Sequence, residues 1–169
     1  EKLEENAKEK LINEIENKSS ELLHGYLESS LAFKGYIEID RETYNIGVID
    51  SDGLSAVLNK GNLTAAKMSV INAILFLSAQ KLQKSYPMVS DAPSSVFDSK
   101  NTRSYMNKIG DTFPQVIIMT KDIYDMSKDD LKSINNVNRV YKLVNKVIDP
   151  NTNKESISNY CTVNGEPII

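Results

Sequence analysis

Apolar positions at Leu3, Ala7, Leu11, Ile15, Leu22 and Tyr26 recur close to every third or fourth residue, with Glu and Lys between them. That spacing predicts a helix over 1–28 with a narrow stripe, either a coiled coil or a plain amphipathic surface helix. "GYIEI" (35–39) and "TYNIGVI" (43–49) alternate in the manner of strands. They predict a half-buried hairpin around "DRE", with Ile37 and Ile39 sharing one face of the first strand and Tyr44, Ile46 and Val48 sharing one face of the second. "DSDG" (50–53) is a second turn, in which Gly53 is free to take a positive φ. Residues 62–83 carry the longest helical signal, apolar nearly all round from Val70 to Leu77, so a helix packed on more than one side is expected, closed off by Pro87. "PMVS" is a short strand. "SKNTRSYMNKIG" (99–110) is a helix capped by Ser99 and terminated by Gly110. "QVIIMT" (115–120) has the continuous β-branched character of a strand buried on both faces. An exposed helix over 122–134 and two strands over 139–148 and 156–165 complete the order. His24 has no second ligand near it in sequence and is read as a surface or boundary residue without a role.

The 169 residues suit one domain with an appendage, and 40% hydrophobic with 25% charged residues is the balance of a globular chain. Because the first residue is Glu1, inside a charged helical pattern, the chain reads as part of something longer. The longest apolar run, "INAILFL" (71–77), lies between Lys67 and Lys81, so no membrane span is expected, and no signal-peptide pattern opens the chain. A single cysteine, Cys161, excludes an internal disulfide and fits a reducing, cytoplasmic setting. A net charge of −3 gives no global attraction to nucleic acid. Lys100, Arg103 and Lys108 form a small basic set on one helix, which a solvated helix face explains equally well.

Two buried strands separated by a helix predict a βαβ unit with a parallel sheet, whose ligands sit at the carboxyl ends of the strands. Asp91 lies at one such end; Thr120 and Lys121 lie at another. "LNKGN" (58–62) opens the long helix. Gly61 permits close backbone approach there, the free N–H groups suit an anion, and Asn59 adds a side-chain donor, although a simple capped helix start accounts for the same residues. Asp91 in "PMVSDAP" offers a hard oxygen ligand to Mg²⁺, or merely starts a turn before Pro93. Lys121 is a mobile charge able to approach a γ-phosphate, or an exposed lysine after a strand.

Taken in order, these stretches resemble the C-terminal lobe of ABC-type ATPases of the SMC class, including double-strand-break-repair and DndD-like ATPases. "LNKGN" stands where the family has its signature LSGGQ or LSxGE, "PMVSD" for the Walker B strand, "SSVFD" (94–98) for the D-loop and "VIIMTKD" for the switch. The resemblance covers roughly residues 1–145. It implies an α/β fold, namely the C-terminal half of an ATPase head with a central, mostly parallel sheet and a β-hairpin. Residues 1–30 would then end a coiled-coil arm and 31–169 would form the lobe. It implies that Asn59, Lys60, Gly61 and Asn62 meet nucleotide held mainly by a partner head. Asp91 would be the metal-associated catalytic acid, Lys121 the switch residue, and Ser95 and Asp98 the D-loop. ATP and Mg²⁺ are the implied cofactors. The implied partners are an N-terminal lobe with the Walker A loop, a second head, and DNA through the whole assembly.

The sequence departs from the family pattern at several points. Asn59 replaces the signature Ser, Lys60 its first Gly, and Asn62 the following acid or amide. Ala92 stands where many relatives place a water-orienting glutamate, and Lys121 replaces the switch histidine. The "D-x-P" form at 91–93 recurs among DndD-like members. No G-x-x-x-x-G-K-[ST] occurs in the chain, so ATPase activity is expected only when a Walker A lobe is joined to it. The competing reading is a catalytically degenerate α/β interaction domain with a coiled-coil partner arm. A stand-alone metal-dependent phosphatase or nuclease fits less well, since only Asp91 and Asp98 fall in the rim.

Overall fold

The computed structural model describes residues 2–27, 35–50, 52–55, 60–91, 97, 99–120, 131–134, 137, 139–140, 143–148 and 155–163, with only the backbone at 60, 61, 99, 100, 143–148 and 155–163. The order is α1 (Lys2–Tyr26), β1 (Tyr36–Ile39), β2 (Ile46–Ile49), α2 (Lys60–Lys81), β3 (Met88–Asp91), α3 (Ser99–Thr112), β4 (Val116–Met119), β5 (Leu143–Ile148) and β6 (Glu155–Val163). The chain is therefore mixed α/β. It divides into two compact units, Glu1–Tyr124 and Asp125–Ile169.

In the first unit, α1 supplies most of the packing surface, contacting α2, α3 and β1. Its two halves differ. Leu3 is 86% exposed, whereas Ser19, Leu22, Leu23 and Tyr26 are fully buried. α1 and α2 run antiparallel: Glu14 pairs with Lys81 at 2.9 Å, the Lys18 ammonium lies 4.4 Å from the centre of the Phe76 ring, and Tyr26 meets Asn72. α3 crosses α1 at Gly25. A Cβ there would come within 2.7 Å of the Lys108 stem, whose ammonium continues to Glu21 at 2.7 Å.

The hairpin β1–β2 is antiparallel, with Ile37 opposite Val48 and Ile39 opposite Ile46. Ile37, Ile39 and Val48 are buried while Tyr36 and Glu38 face out, as the alternation predicts. The outer edge of β1 is covered by side chains of α1. Ser20 Oγ accepts the Ile37 N–H and Glu16 Oε1 accepts the Ile39 N–H, both at 2.8 Å. The registers match because four helical residues rise about 6 Å and two strand residues about 6.7 Å. His24 adds a 2.6 Å hydrogen bond with the Gly35 carbonyl, a tie that its sequence context does not reveal. Tyr44 departs from expectation. It lies in the turn with φ of 56°, outside β2, because the Asp40 carboxylate gathers the Glu42 and Thr43 N–H groups and the Thr43 hydroxyl into a tight loop. Gly53 has φ of 78°, as its turn requires.

α2 is built inside out. Ala65, Ala66, Ser69, Val70, Asn72 and Ala73 form its buried face, while Ile71, Ile74, Leu75 and, just beyond the helix, Leu82 are exposed. Small residues let α1 approach closely and leave the bulkier side chains outside. By length and composition Asn62–Lys81 would pass for a membrane span, with mean hydropathy 1.3. Its exposed Lys67, its buried Asn72 bonded to Tyr26, and its packing on α1 and β2 are those of a helix within a folded unit. The helix ends in a Schellman motif: Lys84 N–H donates to Ala79 O, Gln83 N–H to Gln80 O, and Gln83 takes φ of 52°.

β3 and β4 pair in parallel, joined through α3, with Met88 level with Val116 and Asp91 with Met119. Among the described residues this pair is the whole of the parallel sheet; no third strand joins it. Two local expectations change. Gly110 does not end α3, which runs on to Thr112, because Ile109 O still accepts the Phe113 N–H and both residues are buried. The "QVIIMT" strand is not buried on both faces: Ile117 and Met119 are 47% and 45% exposed.

In the second unit, β5 and β6 form an antiparallel hairpin with a register shift between Val144 and Lys146. Leu131 and Ile134 are buried there, against the expectation of an exposed helix over 122–134, of which 122–130 lie outside the described residues.

Candidate functional site

The parallel register brings two strand ends level. Asp91 closes β3, Met119 closes β4 beside it, and Thr120 follows. Along β3 the side chains alternate: Met88 is buried and Ser90 partly so, while Val89 and Asp91 are exposed. The Asp91 carboxylate thus stands in solvent at the carboxyl end of a parallel pair, the position where open α/β sheets present ligand-binding groups. Lys121, one residue beyond Thr120, lies outside the described residues.

The second stretch, "LNKGN", overlaps the start of α2, which opens two residues before the helix expected from 62. α2 begins at Lys60, with Gly61 and Asn62 in its first turn. That turn holds no acidic residue, so the positive end of the helix is not offset locally. Asn62 is partly buried. Asn59, and the D-loop candidates Ser95 and Asp98, lie outside the described residues.

Mg²⁺ demands a near-octahedral oxygen shell, usually shared among one or two carboxylates, waters and phosphate. Among the described residues no group of three His, Cys, Asp or Glu side chains converges. Asp91 is a single exposed carboxylate at this point. It does not make a self-sufficient metal site.

Tyr26, Phe97 and Tyr105 form an aromatic cluster that sequence reasoning missed. Tyr26 of α1 and Tyr105 of α3 are fully buried, their rings 4.8 Å apart and edge to face. Phe97, from the segment between β3 and α3, stacks on Tyr105 at 5.4 Å and meets Tyr26 at 6.3 Å. Asn72 donates a 2.8 Å hydrogen bond to the Tyr26 hydroxyl. Burial pushes the Tyr26 phenol well above its usual pKa, and the Asn72 bond offsets only part of that. Burial likewise raises Tyr105, against smaller opposing effects of Ser90 and Asn72. Neither neighbour meets hydrogen-bond geometry, however, and the Tyr105 hydroxyl is left without a partner. The sequence signal was slight: Phe97 sat inside "SSVFD" and Tyr105 inside a helical pattern, with nothing to join them to Tyr26.

A groove of about 640 Å³ runs beside β1, lined by Glu16, Ser20, Ile39 and Arg41 among others. Its one cation among the described residues, Arg41, is matched by side chains of α1. Arg41 reaches Glu9 at 3.0 Å, Asn13 at 2.7 Å and Glu16 at 3.0 Å, all on one face of α1. This groove fastens the hairpin to the helix.

No family model matches the chain, and no curated protein matches it. Among solved structures it is similar to the SMC head domain from Thermotoga maritima, with 11% identity and a TM-score of 0.49 over 83% of this chain. The match takes in 48% of that structure, so the chain spans about half its length.

Proposed function

We propose that this chain is the C-terminal half of the nucleotide-binding head of an SMC-like, DNA-associated ATPase that serves DNA repair, DNA modification or phage defence. The observation that carries the reading is the β3–α3–β4 unit, with Asp91 exposed at the strand ends, set after a helix that opens at Lys60 within "LNKGN". In this reading Asn59, Lys60, Gly61 and Asn62 meet the triphosphate bound by a second head. Asp91 contributes one oxygen to the Mg²⁺ shell, Lys121 faces the γ-phosphate, and Ser95 and Asp98 line the head–head contact. Bound Mg²⁺ neutralises charge on the transferred phosphoryl group. The exposed turns of α1 around Leu3 and Leu11 continue into the coiled-coil arm of residues 1–30, with 31–169 as the lobe.

The outer faces support an incomplete head. Parallel sheets are ordinarily covered on both sides. Here Val89, Ile117 and Met119 are about half exposed on one face of the parallel pair, and Ile71, Ile74 and Leu75 are exposed on α2. An N-terminal lobe carrying the Walker A loop, with strands beside β3 and β4, would cover the sheet.

The test is reconstitution. Co-expressed with the Walker A lobe, the chain gives heads that dimerise only with ATP and Mg²⁺ in analytical ultracentrifugation, and Asp91→Asn removes that response. Dimerisation of the Asp91→Asn heads like wild type would strip Asp91 of its metal role. ATP turnover by this chain alone would remove the assignment entirely. A second reading, an interaction domain without catalysis, is favoured by Ala92, Lys60 and Lys121. It predicts that the partner lobe binds equally well with and without nucleotide.

A further inference from the structure

We propose that Tyr26 and Tyr105, by clasping Phe97, are positioning residues for the carboxyl end of β3, so that the seating of α1 sets where Asp91 stands. Three chain segments far apart in sequence converge on this point. Tyr26 is the last residue of α1, Tyr105 sits in the middle of α3, and Phe97 lies between Asp91 and the first residue of α3. Phe97 keeps ring contact with both tyrosines, at 6.3 and 5.4 Å, although it is itself only partly buried. Edge-to-face and offset aromatic pairs hold a preferred geometry, so the cluster resists sliding as well as separation.

Ser90, the residue before Asp91, is on the partly buried side of β3, near enough to the Tyr105 hydroxyl to act on it electrostatically but not hydrogen-bonded to it. Asn72 of α2 bonds Tyr26, which prevents the α1 ring from turning out of the cluster. Asp91 thus lies between Ser90, which neighbours Tyr105, and Phe97, whose ring contacts with Tyr105 and Tyr26 are the anchor on this side. β3 has only four residues and pairs with a single neighbour among the described residues, so its own ladder is a weak constraint on where it ends. The clasp supplies the missing constraint.

The importance of this device for phosphoryl chemistry rests on the role proposed for Asp91, but its existence can be tested without nucleotide. Amide hydrogen exchange is measured by NMR on the full chain and on Phe97→Leu, Tyr26→Leu, the double variant and Phe97→Tyr. Each leucine substitution is expected to speed exchange of the β3 amides about tenfold, while the hairpin amides of Ile37 and Ile39 keep their rates. The double variant should exchange no faster than either single one, because both break the same clasp. Phe97→Tyr should stay within twofold of wild type. If Tyr26→Leu does not fold, Phe97→Leu against Phe97→Tyr decides the matter. Acceleration that the hairpin amides share, rate effects that multiply in the double variant, or no acceleration at all would each overturn the proposal. Loss of the ATP response in reconstituted heads would leave these exchange rates, and hence the clasp, standing.

Discussion

Glu16 accepts the Ile39 backbone N–H at 2.8 Å while its carboxylate also holds the guanidinium of Arg41. One carboxylate therefore caps a strand edge and fixes the turn that follows. Burial works to raise the pKa of Glu16, but the Arg41 and Ile39 hydrogen bonds and the Arg41 charge outweigh it and hold the group below its usual value of 4.5. A depressed carboxylate stabilises the fold fully above its unfolded value, and that contribution fades as pH falls through the lower folded value. Glu16→Gln is therefore expected to melt below wild type at pH 7, with the gap closing as pH falls below about 4.5. Thermal melts of both proteins across pH 3–7 check this. Removing the whole acceptor in Glu16→Ala should cost about 1–3 kcal/mol.

Gln83 occupies the left-handed position of the α2 Schellman motif and is exposed. A non-glycine residue pays about 1–2 kcal/mol in that conformation. Gln83→Gly should raise stability by about 1 kcal/mol in denaturant titration, against the general rule that glycine destabilises.

The two faces of the helix pair should respond differently. Leu22 on α1 is fully buried, and Leu22→Ala should cost about 2–5 kcal/mol. Ile71 on the outer face of α2 is 58% exposed, so Ile71→Ser should change the stability of the chain alone by less than about 0.5 kcal/mol. The same substitution should weaken binding of any polypeptide that covers this face, readable by calorimetry on the reconstituted head.

Tyr105 carries a buried hydroxyl without a partner. An unmet buried polar group costs about 1–3 kcal/mol, so Tyr105→Phe should leave stability unchanged or raise it. A clear drop in melting temperature would mean that the hydroxyl bonds Ser90 or Asn72 in solution.

Much of the local structure was legible because it depends on neighbours in the chain. Alternation placed Ile37 and Ile39 on the buried side of a strand, and the Asp-Ser-Asp-Gly turn required Gly53 at positive φ. Gly110 misled because a glycine near a helical pattern commonly marks its end, yet the burial of Ile109 and Phe113 carries α3 past it. Tyr44 misled because its alternation with Ile46 ignored the pull of Asp40 on the turn backbone. At the candidate site, the strand ending in Asp91 and the helix start at Lys60 could be read in order along the chain, whereas the aromatic cluster of Tyr26, Phe97 and Tyr105 could not.

The sequence by itself determined the order of helices and strands, the hairpin and the placing of Asp91 at a strand end, since periodicity and turn chemistry act over a few residues. Only the tertiary structure decided which face of the nearly uniformly apolar α2 turns inward, that α1 side chains cap the edge of β1, and that Phe97 packs against the Tyr26–Tyr105 pair. Those outcomes depend on close approach between surfaces separated by tens of residues. Side-chain size and hydrogen-bond geometry select them there, and no local repeat records them.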